Sequence, residues 1–286
     1  MISTESFSIP TIENGLIAAD LHWDETYESM PLVVFCHGYK GFKDWGCWNQ
    51  VAGYFASRGI MFLKFNFSLN GTTLENMLEF GDLEAFARNT YSRELADLNA
   101  VIHFVDQQAG LRNYGYNGKD VFLIGHSRGG GIVMLSSGNH LVKKIITWAS
   151  VSDFESRFPK GHDLQTWKDK GILEVYNART GQIMSHNISF YEDFQANRNK
   201  LDISARLASI DIPFLIVHAE DDEAVTADEA LTLNAKALCS DLLLLDEGGH
   251  TFGASHPWTM KEIPAPLRQV CDASISFLFG ESINHL

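Results

Sequence analysis

Val121-Phe-Leu-Ile-Gly-His-Ser-Arg-Gly-Gly-Gly131 is the stretch on which the fold of this chain turns. The apolar run 121–124 has the length of a buried strand, and a small-to-apolar run, 130–137, follows it as a helix. Between them, Gly125-His126-Ser127-Arg128-Gly129 matches G-x-S-x-G, a strand that turns abruptly into a helix with a serine at the tip. Small residues two places before and after the serine let strand and helix pack closely. The turn exposes the serine Oγ and aims the first helical amides at whatever it attacks. A bare match is weak, so the strand before it and the helix after it carry the reading.

Working outward, apolar runs recur at 31–36, 60–67, 143–149, 213–219 and 241–246, as expected for strands buried on both faces of a parallel sheet. A helix is expected at 48–57, stopped by Gly59, and another at 91–108 with Leu95, Leu98, Ile102 and Val105 on one face. Thr226-Ala-Asp-Glu229 reads as a capping box opening a helix that runs to about Leu238. In the last helix, 267–279, Leu267, Val270, Ser274, Phe277 and Leu278 align. Residues 6–10 and 15–23 are expected to pair about a turn at Glu13-Asn14-Gly15. Strands alternating with helices imply right-handed βαβ units and an α/β fold with a doubly wound, mostly parallel sheet.

The rhythm breaks once, where about sixty residues separate two strands that a crossover of roughly a dozen could join. A hairpin, 172–178 and 182–188 around Arg179-Thr180-Gly181, and a helical run, 189–199, are expected there. Residues 151–209 are therefore expected to form a small lid insertion over one end of the sheet, with 1–150 and 210–286 as the core.

The chain has 286 residues and can bury a sizeable core. Its formal charge of −14 supplies no basic footprint, which excludes nucleic acid as an expected partner. No apolar run approaches the ~20 residues that span a bilayer, and Met1-Ile-Ser-Thr-Glu-Ser lacks the basic and apolar regions of a signal peptide. Cys36, Cys47, Cys239 and Cys271 have no metal-like spacing. No metal, no cofactor and no membrane contact are expected, and the location expected is cytoplasmic. A homodimer is left open.

A serine hydroxyl is a weak nucleophile that needs a base and a group to orient the base. These must come from loops at the carboxyl ends of the strands, where open α/β sheets place ligands. His250, in Glu247-Gly-Gly-His250 just past the last strand, is the expected base among eleven histidines. His256 is its nearest competitor, and His126 is expected to pack in the turn. The orienting acid falls in His218-Ala-Glu-Asp-Asp-Glu-Ala-Val225, where both Asp221 and Asp222 sit at the sheet edge. The chain order serine, acid, histidine fits the strand–turn–helix hydrolases. Charge developing on a carbonyl oxygen needs preorganised donors. The backbone N–H groups of Arg128 and of Tyr39, in His37-Gly38-Tyr39-Lys40-Gly41, are the expected oxyanion hole.

With these residues in place, the chain from Pro31 to Phe279 resembles the α/β-hydrolases of the dienelactone hydrolase-like and bacterial serine esterase type. It is also similar to the catalytic domains of prolyl oligopeptidases. The resemblance rests on His37-Gly38-Tyr39-Lys40-Gly41, Gly125-His126-Ser127-Arg128-Gly129-Gly130, His218 to Val225, and Gly249-His250. It implies an eight-stranded sheet, and because the family's acid usually precedes x-x-Val it places the acid at Asp222. The insertion at 151–209 is similar to one the family carries after its sixth strand. True dienelactone hydrolases carry a cysteine nucleophile where this chain has Ser127, and the prolyl oligopeptidase propeller is absent.

The expected activity is serine hydrolysis of small or medium carboxylic esters through an acyl-enzyme, on a triad of Ser127, Asp222 and His250. Trp167, Tyr176, Phe190, Tyr191 and Phe194 are candidates to line its pocket. A peptidase or amidase on the same triad is the alternative, with Glu155, Asp163 and Glu192 as candidate anchors for a free amine. A silent binding scaffold is the third reading, and the intact set of three residues argues against it.

Overall fold

A computed structural model describes residues 1–12 and 15–282, so Glu13 and Asn14 of the expected turn lie outside the described residues. In chain order the strands are β1 (Ile2–Pro10), β2 (Leu16–Asp24), β3 (Met30–Cys36), β4 (Met61–Phe65), β5 (Tyr116–His126) and β6 (Val142–Trp148). They continue with β7 (Ile172–Asn177), β8 (Gln182–Asn187), β9 (Phe214–Ala219) and β10 (Asp241–Leu245). The helices are α1 (Trp48–Ala56), α2 (Leu83–Arg88), α3 (Tyr91–Gln107), α4 (Arg128–Ser136) and α5 (Gly161–Lys170). After these come α6 (Ser189–Ala196), α7 (Ile203–Leu207), α8 (Ala227–Lys236) and α9 (Ala265–Phe279).

Among the described residues the main sheet has eight strands in the order β1-β2-β4-β3-β5-β6-β9-β10. β2 runs antiparallel to both β1 and β4, and every pair from β4 to β10 is parallel. Alternation of side chains along each strand divides the core in two. Leu32, Val34 and Cys36 of β3 face a cluster with Leu98 of α3 and Ile132 of α4. Val33 and Phe35 face the opposite cluster, with Val51 and Phe55 of α1 and Val270 of α9. Both faces are covered, which is why these strands read as continuous apolar runs. Burying each such side chain contributes about 1.5–3 kcal/mol.

Between β6 and β9 the chain adds no strand to the main sheet, and the expected hairpin there is β7–β8. α5 was not foreseen. Only Trp167 of its ten residues is buried, so it shows no apolar stripe to read. α2 and α7 are too short to show a period. The expected capping box does not form: the Thr226 side chain caps nothing, and Glu229 turns away. Its carboxylate accepts the Ser152 N–H at 2.5 Å and pairs with Arg157, so tertiary contacts displace the local capping hydrogen bond.

A four-charge box pins the loop after β3 to the antiparallel side of the sheet. Lys64 lies 2.9 Å from Asp20 and 2.5 Å from Asp44, while Lys43 is 2.6 Å from Asp44 and also contacts Asp20. Burial pushes the Asp20 carboxyl up, but Lys64 and Lys43 outweigh it and hold the pKa at about 2. Asp44 is lowered by the same two lysines. A depressed carboxylate stabilises the fold above its unfolded pKa of ~4, and that stability is lost as pH falls through the folded value. Asp20 therefore contributes about 2 kcal/mol at neutral pH. Urea titrations are expected to show stability falling from pH ~4 to ~2, with the slope flattened in Asp20→Asn.

Candidate active site

The turn between β5 and α4 is built by glycines with no room for a Cβ. At Gly125 a Cβ would lie 2.3 Å from the Gly129 carbonyl oxygen, and at Gly129 it would lie 2.4 Å from that of Cys36 in β3. Ser127, between them, takes φ 56°, ψ −120°, a conformation that L residues rarely adopt. Its N–H donates to the Trp148 carbonyl at 2.8 Å, tying the turn to the end of β6.

His250 follows β10 through Gly248 (φ 151°) and Gly249 (φ 59°), backbone conformations that favour glycine. Its Nε2 is 3.0 Å from the Ser127 Oγ, and its Nδ1 is 2.8 Å from Asp222 Oδ2. A carboxylate can only accept, so Nδ1 carries the proton and Nε2 is free to accept from the serine hydroxyl. The Asp222 side chain is fully buried, and its Oδ1 accepts the N–H groups of Ala224 (2.8 Å) and Val225 (2.9 Å). Burial pushes its carboxyl up, but hydrogen bonds from His218, His250 and Val225 prevail and hold it well below the usual range. His256, the competing histidine, instead accepts the Gly46 N–H at 2.9 Å through Nδ1.

Two further residues hold the His250 loop. Asp221 Oδ1 accepts the Gly249 N–H at 2.7 Å, so the neighbouring acid positions the backbone rather than the ring. His126 donates from Nε2 to the His250 carbonyl at 2.8 Å, and burial and the nearby His250 push its pKa down to about 3, keeping it neutral. Their positions beside the serine and the acid were visible in the sequence, but their partners were not. Asp221→Ala is expected to lower kcat about 10–100-fold while KM for a small ester stays nearly constant, because a loose loop misplaces the imidazole. Steady-state kinetics on a p-nitrophenyl ester would check this.

The loop after β3 runs against the serine. A Cβ on Gly38 would lie 2.9 Å from that of Ser127, so Gly38 is the residue that admits the approach. His37 braces the loop, donating from Nδ1 to the Gly38 carbonyl at 2.9 Å and accepting the Phe67 N–H at 3.4 Å. Tyr39 comes next, and Arg128 opens α4 directly after Ser127. Among the described residues, neither the Tyr39 nor the Arg128 backbone N–H has a protein acceptor.

A cavity of about 340 Å³ opens beside Ser127 and His250, lined chiefly by apolar side chains from the segment between β6 and β9. Of the candidate lining residues, Trp167 and Phe190 are in its wall. Tyr176 is 65% exposed on the hairpin, and Phe194 is buried against Phe158 and Tyr91 instead. Tyr191 packs edge-on to Phe158. None of Glu155, Asp163 and Glu192 lines the cavity, and Glu155 pairs with Arg198.

The Arg128 side chain also reaches the cavity, which sequence reasoning missed because only its backbone had an expected role. It pairs with buried Glu94 at 3.2 Å. Burial raises the Glu94 pKa against the pull of Arg128. Tyr39 OH and His186 Nε2 share a hydrogen bond of 2.8 Å at the same wall. Burial, with Arg128 and Lys40 nearby, pushes the His186 pKa down to about 3. Among the described residues no group of three or more His, Cys, Asp or Glu side chains is placed to hold a metal ion. No described helix is long and apolar enough to cross a membrane.

Solved structures share this architecture at low sequence identity. Est1E from Butyrivibrio proteoclasticus, in a structure with ferulic acid bound, superposes with a TM-score of 0.72 at 17% identity over 96% of this chain and 98% of its own. A putative hydrolase from Agrobacterium vitis S4 gives 0.70 at 19% identity, over 97% of this chain and 99% of its own. An esterase domain from a Rhodothermus marinus protein gives 0.61 at 18%, over 87% and 90%. No curated protein matches the chain in sequence. The family model described as "Alpha/beta hydrolase family" matches residues 33–260, most of the chain, with the turn at Ser127, the acids at 221–222 and His250 all inside the match. The chain belongs to the alpha/beta hydrolase family.

Proposed function

We propose that this protein is a serine hydrolase that cleaves small or medium carboxylic esters through an acyl-enzyme. The observation that carries the reading is the relay from Ser127 to His250 (3.0 Å) to Asp222 (2.8 Å) at the floor of a largely apolar cavity. His250 Nε2 takes the Ser127 proton as Oγ attacks the ester carbonyl. Asp222, held anionic, keeps the tautomer and stabilises the imidazolium that forms. The Tyr39 and Arg128 N–H groups receive the oxyanion. The imidazolium then protonates the departing alcohol. Water, activated by the same histidine, releases the acid and restores the serine. The esterases among the similar structures support ester over amide chemistry, and so does a cavity wall that, among the described residues, holds no carboxylate to anchor a peptide amine.

The test is hydrolysis of a p-nitrophenyl acyl ester series, with an organophosphonate label read by intact mass and peptide mapping. Turnover with one label at Ser127 is expected. Aminoacyl amides released at rates comparable to esters would favour the amidase. No turnover and no label would favour a silent scaffold.

A further inference from the structure

Arg128 does more than present its backbone N–H. Its guanidinium forms part of the cavity wall beside Ser127 and His250, with the side chain only 12% exposed. It lies among three aromatic rings, 4.1 Å from the centroid of Tyr39, 5.1 Å from Tyr91 and 5.6 Å from Phe190. The remaining wall includes Val151, Phe154, Phe158, Trp167 and Leu173, together with His186 and with Arg157, whose charge is paired with Glu229.

A guanidinium is a planar fork of N–H donors with no acceptor. Among the described residues, the fork makes one hydrogen bond, from Nη1 to Glu94 Oε1. The rings satisfy its charge over their faces but offer its edge N–H groups nothing to bond. Glu94, 3% exposed behind it, balances the charge. The cavity thus presents a donor-rich patch, neutral as a pair, in a largely apolar wall whose other guanidinium, Arg157, is likewise paired, with Glu229.

We propose that Arg128 is a specificity-determining residue: the part of the substrate that fills this cavity is apolar and carries a neutral oxygen acceptor (carbonyl, ether or hydroxyl) received by the free edge of the guanidinium. A neutral acceptor is favoured over a carboxylate because Glu94 already compensates Arg128, and a second buried anion would leave the trio net negative. A substrate without the acceptor leaves desolvated donors unfilled, and sites built to bond a polar group discriminate against analogues lacking it. This inference rests on the ester-hydrolase reading above.

The test uses p-nitrophenyl esters of phenylpropanoic acid whose ring carries hydrogen, a meta or para methoxy group, or a para carboxylate. In the wild type, one of the methoxy esters is expected to exceed the unsubstituted ester in kcat/KM by roughly tenfold or more, with the carboxylate below both. The paired variant Arg128→Met with Glu94→Gln removes both charges, so that neither is buried alone, and the methoxy-to-hydrogen ratio should fall to near one. Arg128→Lys keeps the charge without the fork and should retain only part of the preference. Damage to the fold slows every ester alike and leaves the ratio unchanged, which separates recognition from packing. The wild-type series decides without any variant: a ratio near one, or a preference for the carboxylate, overturns the inference. So does a wild-type ratio that persists in the paired variant. Failure to hydrolyse any of the esters would overturn the ester-hydrolase reading itself.

Discussion

Ser127→Ala is expected to lower kcat on p-nitrophenyl esters by about 10⁶ and to abolish the phosphonate adduct. The substitution removes one oxygen, the atom 3.0 Å from His250 Nε2 and the nucleophile of the proposed mechanism. It leaves the proposed oxyanion donors in place, so a residual acceleration of about 10³–10⁴ over water is expected. Alanine carries the same Cβ as serine, so the backbone at φ 56° is no more strained than before. Stability should therefore stay within about 0.5 kcal/mol of wild type, as urea denaturation would report. A variant that folds as the wild type does and keeps more than about one part in 10³ of its kcat would show that Ser127 is not the nucleophile.

Asp222→Asn is expected to lower kcat by about 10⁴ with KM little changed. The size follows from how this side chain is held. Oδ1 accepts two backbone N–H groups, from Ala224 and Val225, so an asparagine must keep its carbonyl oxygen there. Its NH₂ is then directed at His250 Nδ1, which has to accept instead of donate. The imidazole proton moves to Nε2, where it faces the Ser127 hydroxyl and cannot take its proton. Asp222→Ala removes that misdirected donor, so a larger loss in Asn than in Ala would identify the tautomer as the cause. Equal losses would point to the missing negative charge. NMR of the His250 ring nitrogens would read the tautomer directly.

Much of this site was legible because its parts are local. The pattern at 125–129 specifies its own geometry, since a close strand–helix turn tolerates no side chain at Gly125 or Gly129. Gly248-Gly249 marks a loop of special backbone conformation before His250. The strands were visible as uninterrupted apolar runs, because covering both faces of a sheet leaves no polar alternation. α5 was not visible, because its polar surface faces outward along almost its whole length. The Thr226–Glu229 capping box failed for a related reason: a local signal cannot register that Arg157 and Ser152, distant in sequence, compete for the Glu229 carboxylate.

The sequence by itself determined the order of the main-sheet strands along the chain, the strained serine turn and the loops from which an acid and a histidine must come, because each depends on backbone sterics or burial within a few residues. Residue types and spacing left two adjacent acids open, with only the family resemblance favouring Asp222, and the tertiary structure shows which of them meets the ring. Asp221 and Asp222 share one turn, and their roles separate only when the β10 loop arrives, setting Gly249 against the first and His250 against the second. It also decided that the Arg128 side chain enters the cavity, since Tyr39, Tyr91 with Glu94 of α3, and Phe190 converge on it from three separate parts of the chain. Such contacts are set by the packing of α3 and of the segment between β6 and β9 over the sheet edge. Spacing along the chain carries no trace of them.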